Sequence, residues 1–204
     1  MKLSVAEEVV VDTCAQVIMG AKPANMVAFS SAVFGPLQSF IEHCRKLFSA
    51  HGIDSRELCT CGQRSLMLFY RAEWLEESLR DPMTKKILRE NGYPEVGSLD
   101  ALLDHLTYRV GLHQGFPHEI GLFLGYPPED VDGFIRHGGK DSKLSGYWKV
   151  YGDTAQAEET FALYDRCRAV LSDLLEKGHG LSDILHITGG NYYAYDHRLL
   201  VGNG

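Results

Sequence analysis

The segment Phe116-Pro117-His118-Glu119-Ile120-Gly121-Leu122-Phe123-Leu124-Gly125-Tyr126-Pro127 sets a histidine beside a carboxylate at the head of an apolar run. An imidazole titrates near neutral pH, so His118 can act there as an acid, a base or a metal ligand. Read as a strand, Ile120 to Leu124 places His118 and Glu119 at a strand mouth, where sites in α/β proteins form. Adjacent strand residues point to opposite faces, so both enter one site only if a bulge turns one of them. The plainer alternative makes His118 a loop residue held by hydrogen bonds, with Gly121 and Gly125 allowing close packing.

Thiols offer a second chemistry. Cys14 follows an apolar stretch and stands close in sequence to Lys22. A neighbouring cation favours the thiolate, so Cys14 is a candidate nucleophile, with His118 as its base; the alternative is a small core residue. Cys59-Thr60-Cys61 is a C-x-C pair beside a turn. Thiolates bind soft metals, but a structural zinc site uses paired ligand sets and no second pair follows. Cys44 and Cys167 fall on apolar helical faces, where cysteine is a small hydrophobe. Two glycine-rich pieces, His137-Gly138-Gly139-Lys140 and Thr188-Gly189-Gly190-Asn191, lack the spacing of a phosphate-binding loop. Tyr147, Trp148 and Tyr151 supply either an aromatic wall for a flat ligand or core packing.

Periodicity gives the elements that position these residues. A helix is expected from Ser4 to Ile18, ended by Gly20 and Pro23. Asn25 to Ala50 reads as a second helical region, with Phe29, Val33, Leu37, Phe40, Ile41 and Cys44 at three- and four-residue steps and a kink at Gly35-Pro36. Ile53 to Cys59 and Ser65 to Arg71 read as a hairpin. Helices follow over Ala72 to Leu79, Pro82 to Asn91, and onward from an N-cap at Ser98. Pro128, Glu129 and Asp130 open a helix that runs to His137. Tyr147 to Tyr151 alternates as a strand. A long helix spans Ala155 to Lys177, a short one covers 181–187, and the tail over 189–204 has no period.

The sum is an α+β fold, a small three- to four-stranded sheet packed by several helices; a three-layer α/β sandwich with right-handed crossovers is the alternative. One domain is expected over 1–204, with a helical part over 1–50, an α/β core over 53–188 and a Gly- and Tyr-rich tail over 189–204. The chain has 204 residues, of which 45% are hydrophobic and 23% charged. This excludes disorder as the main state, and such a chain buries roughly 70% of its unfolded surface. The mean hydropathy of −0.15 comes with no membrane-spanning run. A net charge of −7 argues against nucleic-acid binding as the main task. Glu7 and Glu8 interrupt the first apolar stretch, so no secretory signal is read there, and the five cysteines read as reduced thiols of the cytoplasm.

Three further segments, taken in order, carry a resemblance. Phe116 to Pro127 is followed by Asp130-Val131-Asp132-Gly133-Phe134-Ile135. Next come Gly146-Tyr147-Trp148-Lys149-Val150-Tyr151-Gly152-Asp153 and the Phe161, Tyr164 and Cys167 pattern. With Cys14-Ala15-Gln16 and Lys22-Pro23-Ala24-Asn25, nearly the whole chain resembles the family called domain of unknown function 3793, of anaerobic bacteria. It departs at Gln16, where proline is expected, and in the loop over 140–145, which lacks the cysteine of many relatives. The resemblance implies a cytosolic accessory role in iron or redox metabolism, with a flavodoxin-like or iron-transport partner.

Three functional readings follow. In the first, the protein handles a metal, haem-like or flavin-linked ligand. Its pocket is rimmed by His118, Glu119, Lys149 and Tyr151, and Lys22 and Asn25 are added from the N-terminal loop. In the second, it is a protein–protein adaptor without a small-molecule site, using acidic helices and Tyr192, Tyr193 and Tyr195 of the tail. In the third, it is a thiol enzyme built on Cys14 and His118. The cofactor is left unnamed, enzymatic activity is left open, and so is a homodimer.

Overall fold

A computed structural model describes residues 5–34, 37–61, 64–95, 97–112 and 116–189. The kink expected at Gly35-Pro36 and the tail tyrosines Tyr192, Tyr193 and Tyr195 lie outside the described residues. The architecture is α+β, and both sheets are antiparallel. The backbone divides into two compact units, Met1–Arg71 with Leu163–Gly204, and Ala72–Ala162.

The first unit opens with α1 (Val5–Ile18) and β1 (Ala24–Ser30), followed by α2 (Ser31–Phe34), α3 (Leu37–Ser49), β2 (Asp54–Cys61) and β3 (Arg64–Tyr70). The sheet order is β1-β3-β2, and β2 carries an irregularity between Glu57 and Cys59. The hairpin expected over 53–71 is present as β2 and β3. Of the helical region expected over Asn25 to Ala50, the later part is present as α2 and α3, but residues 25–30 are not helical, because Ala24–Ser30 is a strand paired along its length with β3, from Ala24 opposite Tyr70 to Ser30 opposite Arg64. Val27 and Phe29 point inward at a two-residue step. Phe29 fits both periods, and pairing with β3 decides between them.

Phe29, Phe48 and Phe69 meet at the centre of this unit, with ring centroids 4.6 Å apart for Phe48 and Phe69 and 6.3 Å apart for Phe29 and Phe69. Val10, Val11 and Ile18 of α1, with Ile184 and Leu185, complete that core. α1 ends at Gly20, whose φ of 70° suits glycine, and the Ala21 amide turns back to the Gln16 carbonyl. Arg71 closes this end. Its Nε donates to the Val17 carbonyl at 3.0 Å and its Nη2 to the Ile18 carbonyl at 3.2 Å.

The second unit contains α4 (Ala72–Ser78), α5 (Pro82–Glu90), α6 (Leu99–Gly111), α7 (Ile120–Phe123), α8 (Pro128–His137), β4 (Leu144–Ser145) and β5 (Lys149–Val150). The long α9 (Thr154–Glu176) supplies residues to both units, and α10 (Leu181–Ile187) belongs to the first. Local signals act as expected here. Asp81 accepts from the Met83 and Thr84 amides ahead of Pro82, and Ser98 accepts from the Ala101 amide. Gly138, with φ 57°, ends α8. No described helix is long and apolar enough to cross a membrane.

Two expected strands are corrected. Ile120 to Leu124 is a helical turn and its exit, with every residue buried. A short, uniformly apolar run has no period that separates strand from helix. The strand expected over Tyr147 to Tyr151 shrinks to Lys149–Val150. The amides of Tyr151 and Gly152, which would prolong a ladder, donate to Asp130 Oδ1 at 2.6 and 2.7 Å.

Replacing Arg71 with Leu leaves the end of α1 without these donors and is expected to lower the unfolding free energy by about 2–3 kcal/mol. Urea unfolding checks this. An unchanged midpoint contradicts the role assigned to Arg71.

Candidate functional site

His118 and Glu119 diverge sharply. A turn after Pro117, closed by the Gly121 amide on the His118 carbonyl at 3.2 Å and the Leu122 amide on the Glu119 carbonyl at 3.0 Å, leads into α7. It carries Glu119 inward to 1% exposure and leaves His118 exposed, its ring edge-on to Phe134 at 4.9 Å. The two residues therefore sit on a helical turn rather than at a strand mouth. Glu119 Oε1 accepts from Arg109 Nε at 2.9 Å and from the Tyr93 hydroxyl at 3.3 Å. Arg109 Nη2 continues to Asn91 Oδ1 at 3.2 Å. Burial, with the charge of Glu119 next in effect, pushes the Tyr93 hydroxyl far above its ordinary range, so it stays a donor. The hydrogen bond to Glu119 raises Arg109 further. A carboxylate held in this way anchors Asn91, Tyr93 and α6 to the turn before α7.

Lys149 and Tyr151 follow a second buried carboxylate. Asp130, in the first turn of α8, is 3% exposed. Its Oδ2 accepts from Trp148 Nε1 at 2.6 Å, while its Oδ1 takes the two amides named above. Trp148 stacks on Tyr126 at 5.1 Å and meets Phe161 edge-on at 4.6 Å, so it packs the interior of this unit. Tyr151 lies against His137 at 5.4 Å, and its hydroxyl donates to the Lys140 carbonyl at 2.8 Å. Gly133 is required beneath it, since a Cβ there would come within 2.5 Å of Tyr151 Cγ. Lys149 is half-buried on β5.

Cys14, Lys22 and Asn25 belong to the first unit and gather at the end of α1. Asn25 Oδ1 accepts from the Val17 amide at 3.2 Å, and its Nδ2 donates to Gln16 Oε1 at 3.3 Å. Cys14 is fully buried. Burial, then the thiol of Cys44, pushes its own thiol well above the ordinary range, against a smaller downward pull from Lys22. The thiolate that nucleophilic attack needs is therefore disfavoured. Lys22 is 5% exposed, with Nζ 5.8 Å from the centre of the Tyr164 ring, and burial lowers its pKa to about 8. Each of these residues is engaged with the fold around it.

Among the described residues, no three His, Cys, Asp or Glu side chains are placed to hold a metal ion together. Cys59 is half-buried on β2. A concavity of about 370 Å³ in the first unit is edged by His51, His179 and His186. His51 is oriented by its Nδ1, 2.9 Å from the Leu47 carbonyl.

The second unit has a larger groove, of about 610 Å³, between the end of α4, one face of α5 and the start of α6. Leu79, Leu88 and Leu99 form its floor, and Arg80, Lys85, Lys86 and Arg89 stand around it with Glu76 and Glu95. Arg80 pairs with Glu77 at 2.9 Å and Glu76 at 3.7 Å, Arg89 with Glu95 at 3.7 Å, and Lys86 with Glu90 at 4.0 Å. These side chains are about half exposed or more, so each pair contributes only about 0–1 kcal/mol. The sequence reading passed over this groove. Its signal was Lys85, Lys86 and Arg89 at helical spacing; Arg80 and Glu95 join them only through the fold. Arg109 and Tyr93, the partners of Glu119, were missed for the same reason.

A family model described as Protein of unknown function (DUF3793) matches residues 10–185. Nothing matches among the curated proteins or among the solved structures.

Two outcomes test these assignments. Glu119→Gln leaves Arg109, whose side chain is 30% exposed, facing a neutral partner, and a loss of about 1–3 kcal/mol in unfolding free energy is expected; unchanged stability contradicts the anchor role. Lys22 holds its proton less tightly when folded, at about 8, than at its ordinary value of 10.5. Between those pH values the unfolded chain binds more protons, so this residue makes stability rise with pH. Urea unfolding of the native chain and Lys22→Met is therefore expected to diverge in favour of the native chain across that window, whereas a constant difference contradicts the burial assigned to Lys22.

Proposed function

The chain belongs to the DUF3793 family of proteins of unknown function, and we propose that it is a binding protein, an adaptor that meets another protein through its second unit. The observation that carries this reading is the contrast between buried and exposed charge. The carboxylates Glu119, of the Phe116–Pro127 segment, and Asp130, which follows it, are fixed by Arg109, Tyr93, Trp148 and backbone amides. The exposed cations of Arg80, Lys85, Lys86 and Arg89 surround an open groove held only by weak surface pairs. Glu119 and Asp130 are buried with their oxygens occupied by these donors, which favours an anchoring role for them.

In this reading the accessory role in iron or redox metabolism is exercised through a partner, a flavodoxin-like or iron-transport protein, rather than through a ligand ringed by His118, Glu119, Lys149 and Tyr151. The buried thiol of Cys14 supports the same choice over a thiol enzyme. A cytoplasmic setting accords with the free state of Cys14, Cys44, Cys59 and Cys167.

Photo-crosslinking in cells tests the reading. A benzophenone amino acid at Lys85, inside the groove, is expected to give a discrete protein adduct; the same group at Glu158, exposed on α9, is expected to give none. No adduct from Lys85, or equal adducts from both positions, overturns the proposal.

A further inference from the structure

We infer that Asn91-Gly92 is a site of spontaneous deamidation, kept latent by the bonds that tie the Asn91 side chain to Arg109 and Glu119. The reaction is intramolecular and needs no enzyme. The backbone nitrogen of Gly92 gives up its proton to a buffer base and attacks Asn91 Cγ. A Cγ–N bond forms, the Cγ–Nδ2 bond breaks, and the carboxamide nitrogen leaves as ammonia. Water then opens the cyclic imide at either carbonyl, leaving aspartate or isoaspartate at position 91. Glycine hinders this attack least, because it has no Cβ and allows the backbone a close approach.

The chain holds two such pairs, Asn91-Gly92 and Asn203-Gly204, and the second lies outside the described residues. At Asn91 each reacting group is occupied. Nδ2 donates to the Ile87 carbonyl at 2.8 Å, and Oδ1 accepts from Arg109 Nη2 at 3.2 Å. The attacking amide of Gly92 donates to the Arg89 carbonyl at 3.0 Å. Asn91 has ψ 14°, which eclipses the Gly92 nitrogen with the Asn91 nitrogen. Ring closure needs it eclipsed with Cβ instead. Yet Asn91 is only half-buried and Gly92 is exposed, at the end of α5. Water and base reach the pair once these bonds part, and element ends open locally at lower cost than a whole unit.

The latch is the carboxylate of Glu119, which ties down both sides of the pair. Before Gly92, it orients Arg109 through Nε at 2.9 Å, and Arg109 holds Asn91. After Gly92, it accepts from the Tyr93 hydroxyl, and Tyr93 is 3% exposed with its amide on the Leu88 carbonyl at 3.1 Å. The modification is one-way and loosens the same latch. Aspartate at 91 keeps Arg109 but loses the donor to Ile87, and it sets a negative charge at the negative end of α5. Isoaspartate adds a backbone carbon there and displaces Tyr93.

The test is incubation of the full chain at mildly alkaline pH. The tryptic peptide over 90–109 is then separated into its asparagine, aspartate and isoaspartate forms and identified by mass spectrometry. In guanidinium chloride, conversion is expected at the rate of a synthetic peptide of the same sequence. The folded chain is expected to convert about a hundredfold more slowly. Glu119→Gln and Arg109→Lys are each expected to speed the folded chain about tenfold, the effect of weakening one hydrogen bond to a charged group. Arg71→Leu, which loosens the first unit, is expected to leave the rate unchanged. Circular dichroism establishes that each variant is folded, and Arg109→Lys, the milder change, carries the test if Glu119→Gln does not fold.

A folded chain that converts as fast as the unfolded one overturns the inference. So does an unfolded chain that does not convert. Folded Glu119→Gln and Arg109→Lys that convert no faster than the native chain overturn the latch, and so does an equal rise with Arg71→Leu, which assigns the reaction to global unfolding.

Discussion

A buried carboxylate must have its oxygens filled, and in the second unit Asp130 meets that demand by gathering three donors from one later segment. Trp148 Nε1 satisfies one oxygen, and the Tyr151 and Gly152 amides the other. Much follows from this arrangement. β5 stops at Val150 because the next amides are taken. Trp148 is drawn against Tyr126 and Phe161, and the backbone at Tyr151 is fixed where its ring covers Gly133. A Cβ on Gly152 would come within 2.7 Å of Glu129 Cγ, so that exposed side chain would have to move. The segment around Asp130 and the segment from Trp148 to Gly152 are thus the two sides of one packing arrangement.

The first unit meets the same physical demand at the end of α1. Helix termini leave carbonyls without partners, and here Arg71 supplies donors to two of them while Asn25 takes the Val17 amide. Lys22 is buried nearby with its proton loosened, and Cys14 with its proton held. Both units therefore place their conspicuous polar residues where the fold needs them. The exposed cations around the groove, Arg80, Lys85, Lys86 and Arg89, stand apart from these buried anchors.

Legibility followed locality. Ser98, Pro82, Pro128 and Gly138 act within a turn of themselves, and each marked its helix boundary correctly. β1 was hidden because Phe29 suits a helical stripe as well as a strand, and only the distant β3 decides. α7 was hidden because a run buried all round has no period. The α+β class was legible because the hairpin and the capped helices are local. The site was less so: Glu119 was visible as a carboxylate, but Arg109 and Tyr93 reach it only in the folded unit. Asp130 was read as a helix-start acid, which it is, without its three donors. The groove was half visible, in the Lys85, Lys86 and Arg89 spacing.

The central claim is that the distinctive segments hold the fold together and leave recognition to the surface. Native-state hydrogen exchange at the Trp148 indole N–H, with the Tyr151 and Gly152 amides, tests it most directly, and the half-buried Trp74 provides an internal comparison. The account predicts that all three Asp130-bound hydrogens exchange only with global opening of their unit, and that Asp130→Asn releases them together. Exchange of the Trp148 indole at the rate of a free tryptophan, in an otherwise folded protein, would contradict it.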